Sequence, residues 1–341
     1  MILIWHEGAL GDLLLSRLAI ACIRERHREE KIALFARQEV RKLFARAGLV
    51  DEACPTSLPL LQKKTRQEKI RCLYLFTSTP TFKEILDPFT EKIRLVPTRP
   101  GGRLHLALEE ALTLGCYPTK GLFLEDKKPA GELVLIHPGS GAAYKCLPAE
   151  VWKKLGEDLE KSGKQVLYLL GPAEEKLKTR FPAQKTLSSS EIDTTLNILS
   201  KAEAFLGHDS GLSHLAAALG IPTLAIFGPT AWWHWAPFGR VLVGKIPCKC
   251  LFQRKNPQNC RKPCLKEVSY RPLQKLVEMF FSTIPRFFRP EEEADTLEGP
   301  RNPRKSLVEE GEVPEWKRPE EMVPELGILV AEVEEEHFLK V

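Results

Sequence analysis

No apolar run in this sequence approaches the roughly 18 residues that a membrane-spanning helix needs, so we expect no membrane-spanning segment. The first sixteen residues, MILIWHEGALGDLLLS, contain two acids and no Lys or Arg, which is unlike a secretory signal peptide. We therefore expect a cytoplasmic protein. Scattered cysteines are normally reduced thiols in that compartment.

Several nucleotide-binding and nucleic-acid-binding signatures are also missing. The G-x-G-x-x-G dinucleotide fingerprint does not follow the first predicted strand, and the Gly/Ser loop near residue 140 lacks the G-K-[ST] ending of an ATPase P-loop. Basic residues are dispersed and form no recognisable nucleic-acid-binding motif. We therefore expect no nucleic acid partner.

Charge is distributed unevenly along the chain. Residues 286–341 hold 8 Lys/Arg and 16 Asp/Glu, a net of −8, whereas the whole chain carries +5, so the other 285 residues carry +13. A basic body suits an anionic partner such as phosphate or a membrane surface, although a merely soluble charged surface has the same composition. The segment 286–341 is rich in Pro and Glu and is typical of a linker or a mobile tail.

Short apolar runs alternate with helical patterns from the first residue, which predicts parallel sheets covered by helices. The pattern turns polar at residues 124–131, with Pro129 and Gly131 as breakers, and then restarts. We therefore predict an α/β fold of two doubly wound domains, 1–128 and 129–285, followed by the tail. A chain of 341 residues is long enough for two such cores.

Ligands of open α/β sheets bind beyond the carboxyl ends of the strands, where loops lead into helices. The first such junction is GALGD, residues 8–12, in which Gly8 and Gly11 allow a tight turn and Asp12 stands at the first helical turn. Asp12 is a candidate reactive carboxylate, although an N-cap role also explains its position.

The second junction is the loop HPGSGAAYK, residues 137–145. Its Gly/Ser stretch would expose the Ser140 hydroxyl and the Gly141 amide to an anion, and Lys145 would add a point charge. An ordinary strand-to-helix loop is the alternative.

The third junction, DSGLSHLAAALG, begins at Asp209 and places Ser210 and Gly211 at a helix N-terminus, whose free amides and dipole favour phosphate. A carboxylate aimed at a diphosphate would be repelled, so we expect Asp209 to cap the helix or to accept hydrogen bonds from sugar hydroxyls. His214 lies one turn after Ser210 on the same helix face. Taken alone, it is interpreted as a packing histidine.

A cluster of cysteines occupies the loop 248–264. Cys248, Cys250, Cys260 and Cys264 have the spacing C-x-C-x₉-C-x₃-C. Four thiolates could hold a structural zinc ion in a polar loop that has no core of its own. Free thiols and disulfides are the alternatives.

The three junctions together resemble a known family. An N-terminal G-A-L-G-D, a segment HPGSG followed by K-x-L-P and W, and the segment GHDSGLSHLAAALGIPTLAIFGPT resemble the marks of the family 9 glycosyltransferases. These are the ADP-heptose:lipopolysaccharide heptosyltransferases and their relatives. The likeness extends from residue 1 to about 280. One difference is His208, where the family usually has Gly or Ser.

The resemblance implies the glycosyltransferase B fold, in which the first Rossmann-like domain holds the acceptor and the second holds the nucleotide sugar. It also implies that Asp12 is the catalytic base, which deprotonates an acceptor hydroxyl. The implied donor-site residues are diphosphate contacts from Ser140, Gly141, Lys145, Ser210 and Gly211, further donor contacts from Asp209 and His214, and a ribose contact from Glu174, which we prefer to Glu175.

The implied activity is the inverting transfer of heptose from ADP-heptose to a lipid-linked saccharide acceptor of the lipopolysaccharide inner core, at the inner face of the inner membrane. The basic runs RERHREEK and LLQKKTRQEKIR could support a membrane contact, although such runs are usually solvated helix faces. Alternatives are a glycosyltransferase of the same fold with another sugar nucleotide or acceptor, an epimerase, and a non-catalytic relative that binds anions or membranes. None of the eight aspartates begins a D-x-D metal motif, and we expect no cofactor requirement for catalysis.

Overall fold

In the computed structural model, the chain forms two parallel-sheet domains. The predicted helix in TFKEILDPF lies outside the described residues. The residues that the structure describes are 1–37, 39–77, 92–102, 104–116, 122–129, 131–248, 264–288, 326 and 328–332.

The first domain contains a five-stranded sheet. Its strands are β1 (Ile2–His6), β2 (Ile32–Ala36), β3 (Glu52–Cys54), β4 (Cys72–Phe76) and β5 (Ile93–Val96). They are arranged in the order β3-β2-β1-β4-β5, and every neighbouring pair is parallel. The three central strands are continuous apolar runs buried on both faces, as expected for a parallel sheet covered by helices.

The helices of the first domain are α1 (Leu10–Leu15), α2 (Arg17–Arg26), α3 (Arg41–Arg46), α4 (Leu58–Gln67) and α5 (Leu106–Thr113). The sequence predicts one helix from Asp12 to about His27, but the chain forms two, which meet at Ser16. The buried Ser16 hydroxyl lies 3.1 Å from the carbonyl oxygen of Asp12. A hydroxyl bonded to the preceding turn bends a helix, which accounts for the break.

The second domain contains a seven-stranded sheet, also parallel throughout. Its strands are β6 (Leu133–Ile136), β7 (Gln165–Leu170), β8 (Thr186–Ser188), β9 (Ala204–His208), β10 (Thr223–Phe227), β11 (Val241–Lys245) and β12 (Ile328–Glu332). The order is β12-β11-β10-β9-β6-β7-β8. Strands β6 to β11 lie where the sequence predicts them.

Helices cover this second sheet, and one apolar core includes Trp152, Leu273 and Phe280. Within the described residues, every helix is too short or too polar to traverse a bilayer. The helices are α6 (Ala149–Lys161), α7 (Ile192–Leu199), α8 (Gly211–Ala218), α9 (Trp232–Trp235), α10 (Cys264–Glu267) and α11 (Tyr270–Thr283), with 3₁₀ turns at Ala143–Lys145, Pro172–Arg180, Ala183–Lys185 and Ile284–Phe288.

Strand β12 lies in the segment 286–341, which the composition predicts to be a linker or mobile tail and whose terminal run ELGILVAEVEEEHFLKV is apolar enough to dock at a place that the sequence does not specify. Ile328 pairs with Val241 and Glu332 with Lys245, so β12 is the edge strand of the second sheet. Leu326 and Ile328 are buried in the core. The apolar run ILVA therefore completes a sheet that the Pro- and Glu-rich composition around it does not predict.

Cys22 and Cys116 form a disulfide between α2 and the residues after α5, with their Cα atoms 6.4 Å apart. The prediction that the scattered cysteines are reduced is wrong for this pair, because α2 packs against α5 and brings the two side chains together. Cys54, Cys72 and Cys146 are not in disulfides.

The two domains contact each other through α1 and α8 and through the buried side chain of Arg17. The Arg17 guanidinium donates hydrogen bonds to the carbonyls of Leu14 at 2.7 Å, Leu122 at 2.8 Å and Phe238 at 2.7 Å. It also lies 3.3 Å from the centroid of the Phe238 ring. One cation thus satisfies carbonyls on both sides of the interface.

The chain joins the second domain slightly before residue 128, the predicted end of the first domain. The amide of Leu124 donates to the carbonyl of Ala218 at 2.8 Å, and that of Lys127 donates to the carbonyl of Leu219 at 3.1 Å. These bonds place the end of the connecting segment against α8.

Candidate active site

Asp12 lies in the first turn of α1, directly after the carboxyl end of β1 and its short glycine loop. Its Oδ2 accepts a hydrogen bond from the amide of Ala9 at 2.9 Å, so the carboxylate does satisfy the helix N-terminus. Its Oδ1 lies 3.2 Å from Nη1 of Arg99, and the side chain remains partly exposed. The capping role therefore occupies Oδ2 and leaves Oδ1 to the ion pair with Arg99.

Arg99 connects Asp12 to the second domain. Its guanidinium carbon lies 5.4 Å from the ring centroid of Trp235 on α9, within the range of a cation–π contact. His234, on the same helix, bonds through Nδ1 to the carbonyl of Leu104 at 2.8 Å. The tryptophan-rich helix α9 thus packs against the first domain beside the candidate base.

The Gly/Ser loop follows β6 and contacts the residue after β9, because these two strands are neighbours in the sheet. Ser140 donates through Oγ to the carbonyl of Asp209 at 2.6 Å. Lys145 ends a 3₁₀ turn, and its Nζ lies 2.6 Å from Oδ2 of Asp209. Gly141 is exposed at the tip of the loop. The structure therefore brings the second and third junctions together.

The N-terminus of α8 is capped by Ser210. Its Oγ accepts a hydrogen bond from the amide of Ser213 at 3.3 Å. The expectation that Asp209 caps this helix is wrong, because its carboxylate is paired with Lys145. Gly211 faces the first domain: a Cβ at this position would lie 3.0 Å from Cδ2 of Leu10. The helix start therefore approaches α1 closely.

His214 lies on the same helix but packs against Gly11 between the domains. A Cβ on Gly11 would lie 3.1 Å from Cδ2 of His214. Burial, together with the charges of Arg17 and Lys145, lowers the pKa of His214 to about 3, so the ring is neutral. Its Nδ1 has no hydrogen-bond partner among the described residues. This geometry agrees with the interpretation of His214 as a packing histidine. Its role as a contact to the sugar donor remains a prediction.

A cavity of about 470 Å³ opens between the domains at these loops. Five of the eight predicted donor-site residues line it, whereas Lys145, Asp209 and His214 are absent from its described lining. The predicted residues that line it are Ser140, Gly141, Glu174, Ser210 and Gly211. We refer to this space as the donor cavity.

Glu174 reaches the donor cavity from the loop after β7. Its Oε2 accepts a hydrogen bond from the amide of Gly171 at 2.9 Å. A Cβ on Gly139 would overlap the Glu174 side chain, so that glycine leaves the space which Glu174 occupies. Glu175 instead has a side chain 63% exposed, which pairs with Lys178 at 3.5 Å. The geometry thus favours Glu174 over its neighbour.

The sequence analysis missed several residues that line the donor cavity. Arg37 and Glu39 come from the first domain, just after β2, and Ser189, Ser190 and Glu191 follow β8. Each group stands at the carboxyl end of a strand. The strand-end rule that located the other loops would have located these too, but their short polar runs carry no glycine signature.

His208 has a structural role rather than a place in the donor cavity. The side chain is fully buried and meets the Trp152 ring edge-on, with centroids 5.0 Å apart. Its Nε2 accepts a hydrogen bond from the amide of Leu147 at 2.8 Å, and Nδ1 lies 3.3 Å from the carbonyl of Gly139. Burial lowers the pKa of His208 to about 3. This ring holds both ends of the Gly/Ser loop.

The cysteine cluster lies mostly outside the described residues, which include Cys248 but neither Cys250 nor Cys260. Nothing is described of the Cys264 side chain. Among the described residues, no group of three or more His, Cys, Asp or Glu is arranged to hold a metal ion. The zinc site therefore stays a prediction.

Residues 119–264 match the family described as Glycosyltransferase family 9 (heptosyltransferase). Lipopolysaccharide heptosyltransferase 1 of Pseudomonas aeruginosa is 28% identical over 166 residues, which are 46% of this chain and 43% of that protein. This part of the chain is therefore similar to the family 9 heptosyltransferases. The matched part spans less than half of that relative.

Solved structures extend the similarity, as a likeness of fold, to both domains. The glycosyl transferase family 9 structure from Veillonella parvula DSM 2008 has a TM-score of 0.67 at 15% identity, over 82% of this chain and 97% of that one. Escherichia coli heptosyltransferase WaaC with ADP has a TM-score of 0.64 at 15% identity, over 82% and 99%. The predicted glycosyltransferase B fold is confirmed.

The residues that match the family model lie almost entirely in the second domain. The matched range includes the Gly/Ser loop, the loop after β7 and the start of α8, which together form the wall of the donor cavity in the second domain. Asp12 lies outside it, and the first domain is covered by likeness of fold. The assignment of the base therefore depends on the geometry of α1.

Proposed function

We propose that this protein is an inverting glycosyltransferase that moves heptose from ADP-heptose to a lipid-linked saccharide acceptor of the lipopolysaccharide inner core. One observation carries the proposal. Leu10 of α1 lines the donor cavity opposite the N-terminus of α8, and Asp12 lies two residues further along α1. The helix that carries Asp12 thus lines, through Leu10, a cavity whose other wall favours phosphate, whereas Asp12 itself is absent from the described lining.

The second domain supplies the groups that would hold ADP. Residues at the start of α8 and in the Gly/Ser loop line the donor cavity, and the helix dipole favours a diphosphate there. Lys145 would add a positive charge, and Glu174 would accept hydrogen bonds from ribose hydroxyls. As the bond between the sugar and ADP breaks, the leaving diphosphate gains negative charge. Donors fixed in advance stabilise that charge, so we propose that the reaction needs no cofactor.

The first domain supplies the base. Asp12 would remove the proton from an acceptor hydroxyl, whose oxygen then bonds to the anomeric carbon on the side opposite ADP. The configuration at that carbon is inverted as a result. Arg99 places a positive charge beside Asp12, which favours an acceptor that carries acidic groups.

We propose that the protein acts in the cytoplasm, at the membrane surface where a lipid-linked acceptor would lie. The basic runs give this part limited support, since several of their cations are already paired. Lys31 pairs with Glu52 and Glu68, and Lys64 also pairs with Glu52. The overall charge of +13 outside residues 286–341 remains the main argument.

We also propose a structural zinc ion in the cysteine loop, because four of the nine cysteines lie within 17 residues. Metal analysis of the purified protein should find one zinc ion per chain, and Cys250→Ser should lower that content. Absence of stoichiometric zinc or iron from the wild type would contradict this site.

Calorimetric titration of the wild type with ADP, UDP, GDP and CMP tests the donor, and a transfer assay with ADP-heptose tests the reaction. Asp12→Asn keeps an oxygen for the Ala9 amide but removes the base. It should therefore bind ADP normally and lose transfer by roughly 10²–10⁴-fold. Asp126→Asn, at a carboxylate paired with Arg240, is the matched control and should leave both unchanged.

Three outcomes would contradict the proposal. Selective binding of another nucleotide would keep the fold and change the donor. If none of the four nucleotides binds, the donor cavity is not a nucleotide-binding site. Equal loss of ADP binding and transfer in Asp12→Asn would overturn its role as the base.

A further inference from the structure

A buried carboxyl group lies behind the turn that carries Asp12. Glu110, on α5, is fully buried, and its Oε1 lies 3.0 Å from Oγ of Ser16. Its Oε2 has no hydrogen-bond partner among the described residues. Nothing in the proposed mechanism uses this side chain.

Burial raises the pKa of the Glu110 carboxyl well above its ordinary value. The hydrogen bond with Ser16 acts in the opposite direction, but the negative charges of Asp12 and Glu109 raise the pKa further. Of the other elements packed around it, β1 contributes His6, which is also buried and neutral. Burial therefore favours the protonated form of Glu110.

The hydrogen bonds around Ser16 lead to the same conclusion independently. Its Oγ lies 3.1 Å from the carbonyl oxygen of Asp12 and 3.1 Å from Nε2 of His6. A hydroxyl donates one hydrogen bond and accepts two. The carbonyl of Asp12 can only accept, and one hydroxyl proton cannot serve both this carbonyl and Glu110. If all three contacts are hydrogen bonds at the same time, Ser16 donates to the carbonyl and accepts from its two other neighbours.

His6 meets that requirement. The amide of Gly8 donates to Nδ1 of His6 at 3.2 Å, so the single proton of the neutral ring is on Nε2. Burial lowers the pKa of His6 to about 3, which keeps the ring in this form. His6 therefore donates to Ser16, and in the arrangement with three hydrogen bonds the other donor to Ser16 is a protonated Glu110.

These bonds fix the turn between β1 and α1 from its buried side. A Cβ on Gly8 would lie 2.6 Å from both Cε1 of His6 and Cβ of Asp12, so the turn is tightly packed. Ionisation of Glu110 would draw the proton of Ser16 away from the Asp12 carbonyl. It would also place a second negative charge near the Asp12 carboxylate.

We propose that Glu110, as a neutral proton donor to Ser16, is a positioning residue that fixes the turn which carries Asp12. This inference rests on the proposed function, in which Asp12 is the base. Glu110 acts on the turn through Ser16, and His6 holds Ser16 from its other side.

Three variants test this role in the transfer assay. Glu110→Gln retains a donor for Ser16, so its transfer rate should stay within about threefold of the wild type. Glu110→Leu and Ser16→Ala remove the bond, and a displaced reactive group can cost up to roughly 10²-fold in rate. Both should therefore lower kcat while the Kd for ADP is unchanged. Loss of transfer in Glu110→Gln equal to that in Glu110→Leu would overturn the proposal.

Thermal unfolding between pH 5 and pH 8 tests the protonation state without any activity. The unfolded chain releases the Glu110 proton near the ordinary pKa of a glutamate, whereas the folded chain keeps it. Stability contributed by that proton is therefore lost as the pH rises. The Tm of Glu110→Gln relative to the wild type should increase steadily over this range. Glu29→Gln, at an exposed carboxylate, is the control and should show no such trend.

The two readouts distinguish failure of the inference from failure of the proposed function. A wild type that binds ADP but transfers no sugar would contradict the proposed function, and the Tm series would still decide whether Glu110 is the neutral donor. A Tm difference that does not change with pH would overturn the inference even if the wild type transfers heptose.

Discussion

Nζ of Lys145 lies 2.6 Å from Oδ2 of Asp209, so the cation expected at the diphosphate already has a carboxylate partner. The side chains of the two residues are 25% and 12% exposed, respectively, and the pair sits where the Gly/Ser loop meets the end of β9. A diphosphate would therefore share this ammonium group with Asp209. The pair also aims Lys145 at the start of α8.

Replacing Lys145 tests that arrangement. Hydrogen bonds to charged groups contribute about 1.5–3 kcal/mol, so Lys145→Ala should weaken ADP binding by roughly tenfold or more. Asp209→Asn keeps the length of the side chain and removes the competing charge, so it should not weaken ADP binding. Calorimetry measures both. Lys161→Ala, in an exposed ion pair with Asp158, is the control, and an unchanged Kd in Lys145→Ala would remove this residue from the site.

Gly139 and Gly141 offer a matched comparison within one loop. A Cβ on Gly139 would overlap Glu174, whereas a Cβ on Gly141 would meet nothing within 4 Å. Gly139→Ala should therefore displace Glu174, lower stability by about 1–3 kcal/mol and weaken ADP binding. Gly141→Ala should leave stability unchanged within experimental error. Denaturant unfolding and calorimetry distinguish them, and equal effects would contradict the packing of Glu174 against Gly139.

Acid should destabilise the protein well before its carboxylates are protonated. Burial lowers the pKa values of His6, His105, His208 and His214 to about 3. Below the ordinary histidine pKa near 6.5 the unfolded chain binds protons that the folded chain cannot, and each group then costs about 1.4 kcal/mol per pH unit. The raised pKa of Glu110 has the opposite effect on stability, but it is a single group, whereas four histidines lower stability in acid.

Urea unfolding at pH 7 and pH 5 measures this loss. The free energy of unfolding should be greater at pH 7 than at pH 5. His105→Gln should make this difference smaller by the contribution of one of the four histidines. Equal stability at the two pH values would mean that these rings take up protons in the folded protein.

The edge strand β12 can be tested at two adjacent positions. Ile328 is 2% exposed, whereas Leu329 is 40% exposed. Ile328→Asp should destabilise the second domain severely, since an unpaired charge would be buried, and Leu329→Asp should change stability by less than about 0.5 kcal/mol. Thermal unfolding compares them. Similar, small effects would mean that β12 does not form in solution.

Most of the fold could be predicted because its strands are continuous apolar runs with helices between them. Strand β3 could not, since Glu52–Cys54 is a short segment without such a run. Strand β12 has an apolar run, but its place is set by pairing with Val241, far away in the sequence. Local patterns do not report contacts of that kind.

The candidate site was predictable where glycine marks a loop at a strand end, as in residues 137–145. It was not predictable where the role of a residue depends on a contact that only the folded structure creates. The sequence does not reveal that Ser210, rather than Asp209, caps α8, because both residue types are good caps. Nor does any spacing connect Glu110 with Ser16, which meet only when α5 packs against α2.

The buried Arg17 guanidinium has a consequence for how the two domains can move. Its bonds to Leu122 and Phe238, with that of His105 to the carbonyl of Ala236 at 2.9 Å, join the domains at one end of their interface. Separation of the domains at this place would leave the buried Arg17 guanidinium and the carbonyls of Phe238 and Ala236 without these hydrogen bonds. We expect these buried bonds to limit how far the two domains can separate where α2 and α5 meet the second domain.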